Sequence, residues 1–125
     1  MENPKAQKLL NKIQRDLMRN GIVINTIVED LKDLRPYAVE EQSPLLAKVI
    51  RLTYEHIDTY QTFDIPIPAD EPVEGFEEEE TADPDVDPKE SLDYLLSLMA
   101  EAKNKLNALE LREYSNNLIA YAEEN

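Results

Sequence analysis

Asp83, Asp85 and Asp87 stand at alternate positions, the spacing with which calcium loops place their first oxygen ligands. The rest of such a loop does not follow. Pro88 occupies the position where the loop needs glycine, and Tyr94 the one where a bidentate glutamate completes the coordination sphere. Asp87 also has a structural use: followed by Pro88 and, three positions on, by Glu90, it is a helix start with capping-box spacing. A second set of carboxylates, Glu29, Asp30 and Asp33 with Glu55 and Asp58, could meet across two helices and hold magnesium.

All-α nucleotide pyrophosphohydrolases hold magnesium with helix-borne carboxylates of this kind, but the chain has no clean repeat of the paired acidic motifs they need. A magnesium-dependent hydrolase of nucleotides is therefore the alternative expectation, with Glu29 and Asp33 as its ligand candidates beside the Asp83, Asp85 and Asp87 run. Acid–base and nucleophilic catalysis have little else to work with. His56 is the only histidine and there is no cysteine to pair with it. Thr53, three positions before His56, excludes the Glu-x-x-His pairs of di-iron bundles. The lack of cysteine also removes disulfides, thiolate metal sites and sulfur redox chemistry. Gly21 and Gly75 are the only glycines, too few for a phosphate-cradling loop or a dinucleotide fingerprint. No cofactor is implied, and no catalytic residue is nominated.

Charge and apolar surface say more than catalytic motifs do. Lys5, Lys8, Lys12, Arg15 and Arg19 recur at steps of three and four, so all five share one helix face. Cations near a helix N-terminus oppose the macrodipole by about 0.3–1 kcal/mol each, so Lys5 and Lys8 stand where helix stability alone would not place them. The consecutive Ile22, Val23 and Ile24 cannot share one narrow seam and imply burial on several sides or contact with a partner. Phe76, within Val73-Glu74-Gly75-Phe76-Glu77, is an apolar anchor among acids, the pattern of a linear recognition segment. Nucleic acid is not the expected partner of the basic face. No aromatics are interleaved with it, and eleven carboxylates in residues 64–87, unaccompanied by Lys or Arg, would compete for the same cations. Those carboxylates could themselves dock on the stripe as a salt-sensitive lid, or mimic nucleic acid toward basic proteins.

The elements that position these residues are helices. Scarce glycine, no tryptophan and no sustained strand alternation predict an all-α fold, an antiparallel bundle of three helices, or four if the last one breaks near Ser115-Asn116-Asn117. Asn3-Pro4, Ser43-Pro44 and Asp87-Pro88 are cap-then-proline starts. They give helices over about 4–35, 44–63 and 88–123 in a single domain of 125 residues. The first carries Leu10, Ile13, Leu17, Ile24, Ile27, Leu31 and Leu34 in unbroken phase and ends before Pro36. The competing reading splits it at Asn20-Gly21. Residues 64–87, with Pro66, Pro68, Pro72 and Pro84, read as a disordered acidic linker, although Ile65 and Ile67 can pack at the core edge. That linker supplies −11 of a net charge of −14, so the bundle itself is near neutral.

No apolar run is long enough to span a bilayer and the first residues lack a signal-peptide layout, so the expected compartment is the cytoplasm. A helix over 4–35 would outreach one over 44–63 by more than about 15 Å, leaving apolar surface for a partner or a second copy. The leading expectation is a non-enzymatic interaction or adaptor protein that binds a protein partner or forms a homodimer. Its contact candidates are Lys5, Lys8, Lys12, Arg15, Arg19, Ile22, Val23 and Phe76.

Overall fold

The computed structural model describes residues 1–68 and 87–124. Their regular structure is entirely α-helical: α1 (Pro4–Asn20), α2 (Ile24–Glu40), α3 (Pro44–Tyr60), α4 (Pro88–Ala100) and α5 (Lys105–Glu124). Three of the five begin at the expected prolines. Asn3 Oδ1 accepts from the Lys5 and Ala6 amides at 2.7 and 3.4 Å, and Asp87 Oδ1 from the Glu90 amide at 3.1 Å. Ser43 precedes α3 without making such a bond.

The continuous helix expected over 4–35 is two helices. Gly21 lies at φ +74°, ψ −162°, backbone that side-chain-bearing residues rarely adopt, while its N–H still closes the last turn of α1 on the Leu17 carbonyl at 2.9 Å. The apolar stripe keeps its phase through the break because each half faces the same core. Leu10, Ile13 and Leu17 are buried on α1, and Ile27, Leu31 and Leu34 on α2. Doubling the chain back lets both halves bury their stripes against each other and against α3 and α4, which one straight rod could not do.

Pro36 does not end α2, which continues through it to Glu40. Pro36 and Lys32, whose carbonyl loses its helical partner, both face solvent, where water satisfies the freed oxygen. The expected last helix over 88–123 also divides, at Glu101–Asn104 rather than near Ser115. Asn104 Oδ1 caps the new start by accepting from the Leu106 and Asn107 amides at 2.9 and 3.2 Å. Ser115 instead lies buried inside α5. α3 stops at Tyr60, where Gln61 turns left-handed at φ +63°, yet Phe63 and Ile65 beyond it are fully buried.

The helices close a ring in the order α1, α2, α3, α5, α4 and back to α1, with the most extensive interface between α2 and α3. Contacts between Met1 and Met99 and between Gln14 and Asp93 make α1 and α4 antiparallel. Ser91 with Tyr114 and Tyr94 with Glu110 do the same for α4 and α5. The interior is aliphatic, centred on Leu10, Leu31, Ile50, Ile57, Leu92 and Leu96, with Tyr114 and Phe63 its largest buried side chains. Each such burial contributes about 1.5–3 kcal/mol. The Met1 ammonium donates to the Met99 and Ala100 carbonyls at 3.2 and 2.9 Å, so a positive charge sits where the α4 dipole is negative. Gln7 Nε2 joins it by donating to the Met1 and Ala100 carbonyls.

Candidate protein interface

Because Ala6, Leu10, Ile13 and Leu17 turn inward, helical geometry points Lys5, Lys8, Lys12, Arg15 and Arg19 outward, and all five are exposed. Lys12 differs from the other four. Its ammonium bonds Asp30 at 2.7 Å and Asp16 at 3.1 Å, clipping α1 to α2. The hydrogen bond to Asp30, then that to Asp16, holds its pKa above the usual lysine value. Lys5, Lys8, Arg15 and Arg19 form no ion pair among the described residues.

At the end of the same hairpin, α1 and α2 part over a cleft of about 200 Å³ floored by Ile13, Leu17 and Ile27. Asp16 and Asp30 stand on its walls, and Val23 at its rim is 44% exposed. Met18 on α1 is 53% exposed. Ile22 is half-buried against the core and Ile24 likewise, so the Ile22-Val23-Ile24 run is divided between core and surface, as three consecutive apolar residues require. The structure therefore brings Arg15, Arg19 and Val23 to one exposed end of the hairpin. Lys5 and Lys8 occupy the far end of α1.

Glu29 and Asp33 lie exposed one turn apart on α2, and Glu55 on α3 is engaged by Arg51 at 3.2 Å. No group of three or more potential metal ligands comes together among the described residues. Asp87 serves as the cap of α4. Asp83, Asp85 and Phe76 lie outside the described residues, as does most of the expected acidic linker. The ends of that linker belong to the fold: Ile65 is core and Asp87 a cap.

Two polar clusters escaped the sequence analysis. His56 is buried among Tyr60, Phe63 and Tyr121, with ring centroids 4.9, 5.6 and 4.8 Å away. Its Nε2 accepts the Asp64 amide at 3.1 Å, which puts the proton of the neutral ring on Nδ1. Burial lowers the His56 pKa and outweighs the pull of the Asp64 carboxylate in the other direction. That carboxylate accepts from Tyr121 Oη at 3.0 Å, and this bond, ahead of burial, raises the Tyr121 pKa.

In the second cluster, Ser91 Oγ donates to the Ile65 carbonyl at 2.6 Å and lies 3.0 Å from Tyr114 Oη. Tyr114 Oη shares its one proton between Ser91 Oγ and the Ser91 carbonyl, the latter 3.1 Å away, and burial pushes the phenol's pKa up. Both clusters hold chain in place, and His56 and Tyr60 also line a cavity of about 140 Å³ with Glu55 and Thr59. Only the lone histidine hinted at the first, and Tyr121, like the Ser91–Tyr114 pair, lies too far along the chain from its partners for spacing to show.

No family model matches this chain, and no curated protein or solved structure matches it either. Among the described residues no helix is long and apolar enough to cross a membrane.

Proposed function

We propose that the protein is a non-enzymatic protein–protein interaction or adaptor protein that docks a protein partner on the open end of its α1–α2 hairpin. One observation carries this reading. Met18 and Val23 stand exposed towards the end of the hairpin, Val23 at the rim of the cleft, and Arg15 and Arg19 in the same part of α1 have no ion pair among the described residues. Exposed apolar side chains in one region with uncommitted arginines have the composition of an interface rather than of plain surface. Among the described residues 25 largely aliphatic and aromatic side chains form the core, so leaving these two outside is not forced by a lack of interior.

The test is capture of partners from cell extract at moderate salt by the tagged full chain and by its Met18→Glu/Val23→Glu variant, identified by mass spectrometry. Partners held by the wild type are expected to disappear with the variant and to weaken with Arg15→Glu/Arg19→Glu. Equal capture by wild type and variants overturns the assignment of this surface. Sedimentation velocity across a concentration range distinguishes a second copy of the chain from a different protein.

A further inference from the structure

We propose that a groove on the outer side of the α2–α3 hairpin binds an acidic peptide segment anchored by an apolar side chain. The inference rests on the interaction-protein reading and adds a partner chemistry that the α1–α2 surface does not specify. The groove has a volume of about 450 Å³ and lies against Arg35 and Val39 of α2 and Pro44, Ala47, Lys48 and Arg51 of α3. Its floor is aliphatic. Val39 is 54% exposed there, which no internal packing explains.

The walls are cationic and fixed on helices. Arg35 Nε donates to the Ala47 carbonyl at 3.2 Å, which orients the guanidinium at the groove and leaves its terminal nitrogens without an ion pair among the described residues. Lys48 is exposed and likewise has no ion pair there. Arg51 sits one turn further along α3, its Nη1 on exposed Glu55 at 3.2 Å. No carboxylate lines the groove. In a chain with 27 acidic and 13 basic residues, a cavity bounded by three cations and no acid runs against composition.

Charge complementarity thus selects an acidic occupant, and the apolar floor selects one that brings a hydrophobic side chain. A nucleic-acid strand would need an aromatic to stack on, and none lines the groove. A small inorganic anion would leave Val39, Pro44 and Ala47 uncovered. A peptide with carboxylates on either side of an apolar residue satisfies walls and floor together.

The experiment is fluorescence anisotropy of a labelled glutamate-rich peptide with a central Leu-Phe pair, titrated with the full chain. Saturable binding is expected, with Kd raised about tenfold by Lys48→Glu and by Val39→Ser. Lys8→Glu, a charge reversal on the exposed face of α1, should change it less than about twofold. Lys48 and Val39 are exposed, so both variants should melt as the wild type does; Arg51→Gln replaces either one that does not. Absence of saturable binding overturns the proposal. So does an equal loss with Lys8→Glu, which would mark unspecific attraction, or equal affinity for the peptide with Ser-Ser in place of Leu-Phe. Partners captured by the wild type but not by Met18→Glu/Val23→Glu, alongside a groove that takes no peptide, would refute the groove and leave the docking reading standing.

Discussion

Replacing Gly21 by alanine distinguishes the hairpin of α1 and α2 from a continuous helix by the sign of its effect. Inside an uninterrupted helix, Gly→Ala stabilises by about 0.8–1 kcal/mol. In the structure Gly21 lies at φ +74°, ψ −162°, and a methyl group added there meets no atom within 4 Å. Steric overlap with neighbours therefore contributes nothing, and the cost is backbone strain alone, about 1–3 kcal/mol for a side-chain-bearing residue. Alanine also restricts the unfolded chain, returning about 0.4–1 kcal/mol. The net expectation is a loss of about 1–2 kcal/mol, which at a urea m-value of about 2 kcal/mol/M lowers the denaturation midpoint by roughly 0.5–1 M. Equilibrium urea unfolding followed by circular dichroism at 222 nm measures it, and an unchanged m-value shows that the two states are otherwise the same. A midpoint that rises refutes the hairpin, because only a helical Gly21 gains from a methyl group.

Three further outcomes follow from the buried polar groups and the caps. Tyr114→Phe and Ser91→Ala should each cost about 1 kcal/mol, with a double-mutant coupling above about 0.5 kcal/mol, since Ser91 Oγ and Tyr114 Oη are partners; additive losses would place them in separate interactions. His56 is held neutral, so between its lowered folded pKa and about 6.5 the unfolded chain binds more protons. Its contribution is complete above that range and is lost as pH falls through it. Tm should drop on acidification, and the slope should flatten in His56→Gln, with Glu55, Tyr60, Asp64 and Tyr121 unchanged around it; an equal slope in the variant would assign the effect to carboxylates. Asn104→Ala should cost about 1 kcal/mol through the two amides it caps, seen as faster hydrogen exchange at Leu106 and Asn107. Exchange unchanged at those amides would mean that the cap does not hold the start of α5.

Local signals were readable and direction changes were not. Pro4, Pro44 and Pro88 open α1, α3 and α4 because a proline needs no N–H in the first turn and fixes the right φ, properties of one residue. Periodicity likewise identified the buried face from Leu10 to Leu34. It could not show whether the chain reverses at Gly21, since two helices facing one core preserve the same phase as a single helix. Pro36 misled in the opposite direction, because its cost depends on whether the freed carbonyl meets water, a matter of tertiary placement. Of the candidate surface, the exposure of Lys5, Lys8, Lys12, Arg15 and Arg19 follows from the inward stripe opposite them. The commitment of Lys12 to Asp30, and the basic groove formed by Arg35 with Lys48 and Arg51, depend on how two helices meet.

The same distinction bears on residues 64–87, which composition marks as one acidic stretch. Phe63 and Ile65 are core, Asp64 bonds His56 and Tyr121, and Ser91 Oγ reaches the Ile65 carbonyl at 2.6 Å, so the chain on either side of residues 69–86 is fastened together. The contacts of that fastening join described residues on either side of the segment. Replacing those 18 residues by a Gly/Ser connection of half the length should therefore shorten a closed loop and raise stability by about 0.6 kcal/mol. A deletion that also removed Asp64, Ile65 and Asp87 should cost several times that, through a lost core side chain and a lost cap. Urea midpoints of the two variants against the full chain decide the matter. A loss above about 2 kcal/mol from the shorter replacement would show that residues 69–86 contribute to the fold, and that partner-binding losses on their removal report unfolding rather than a missing recognition element.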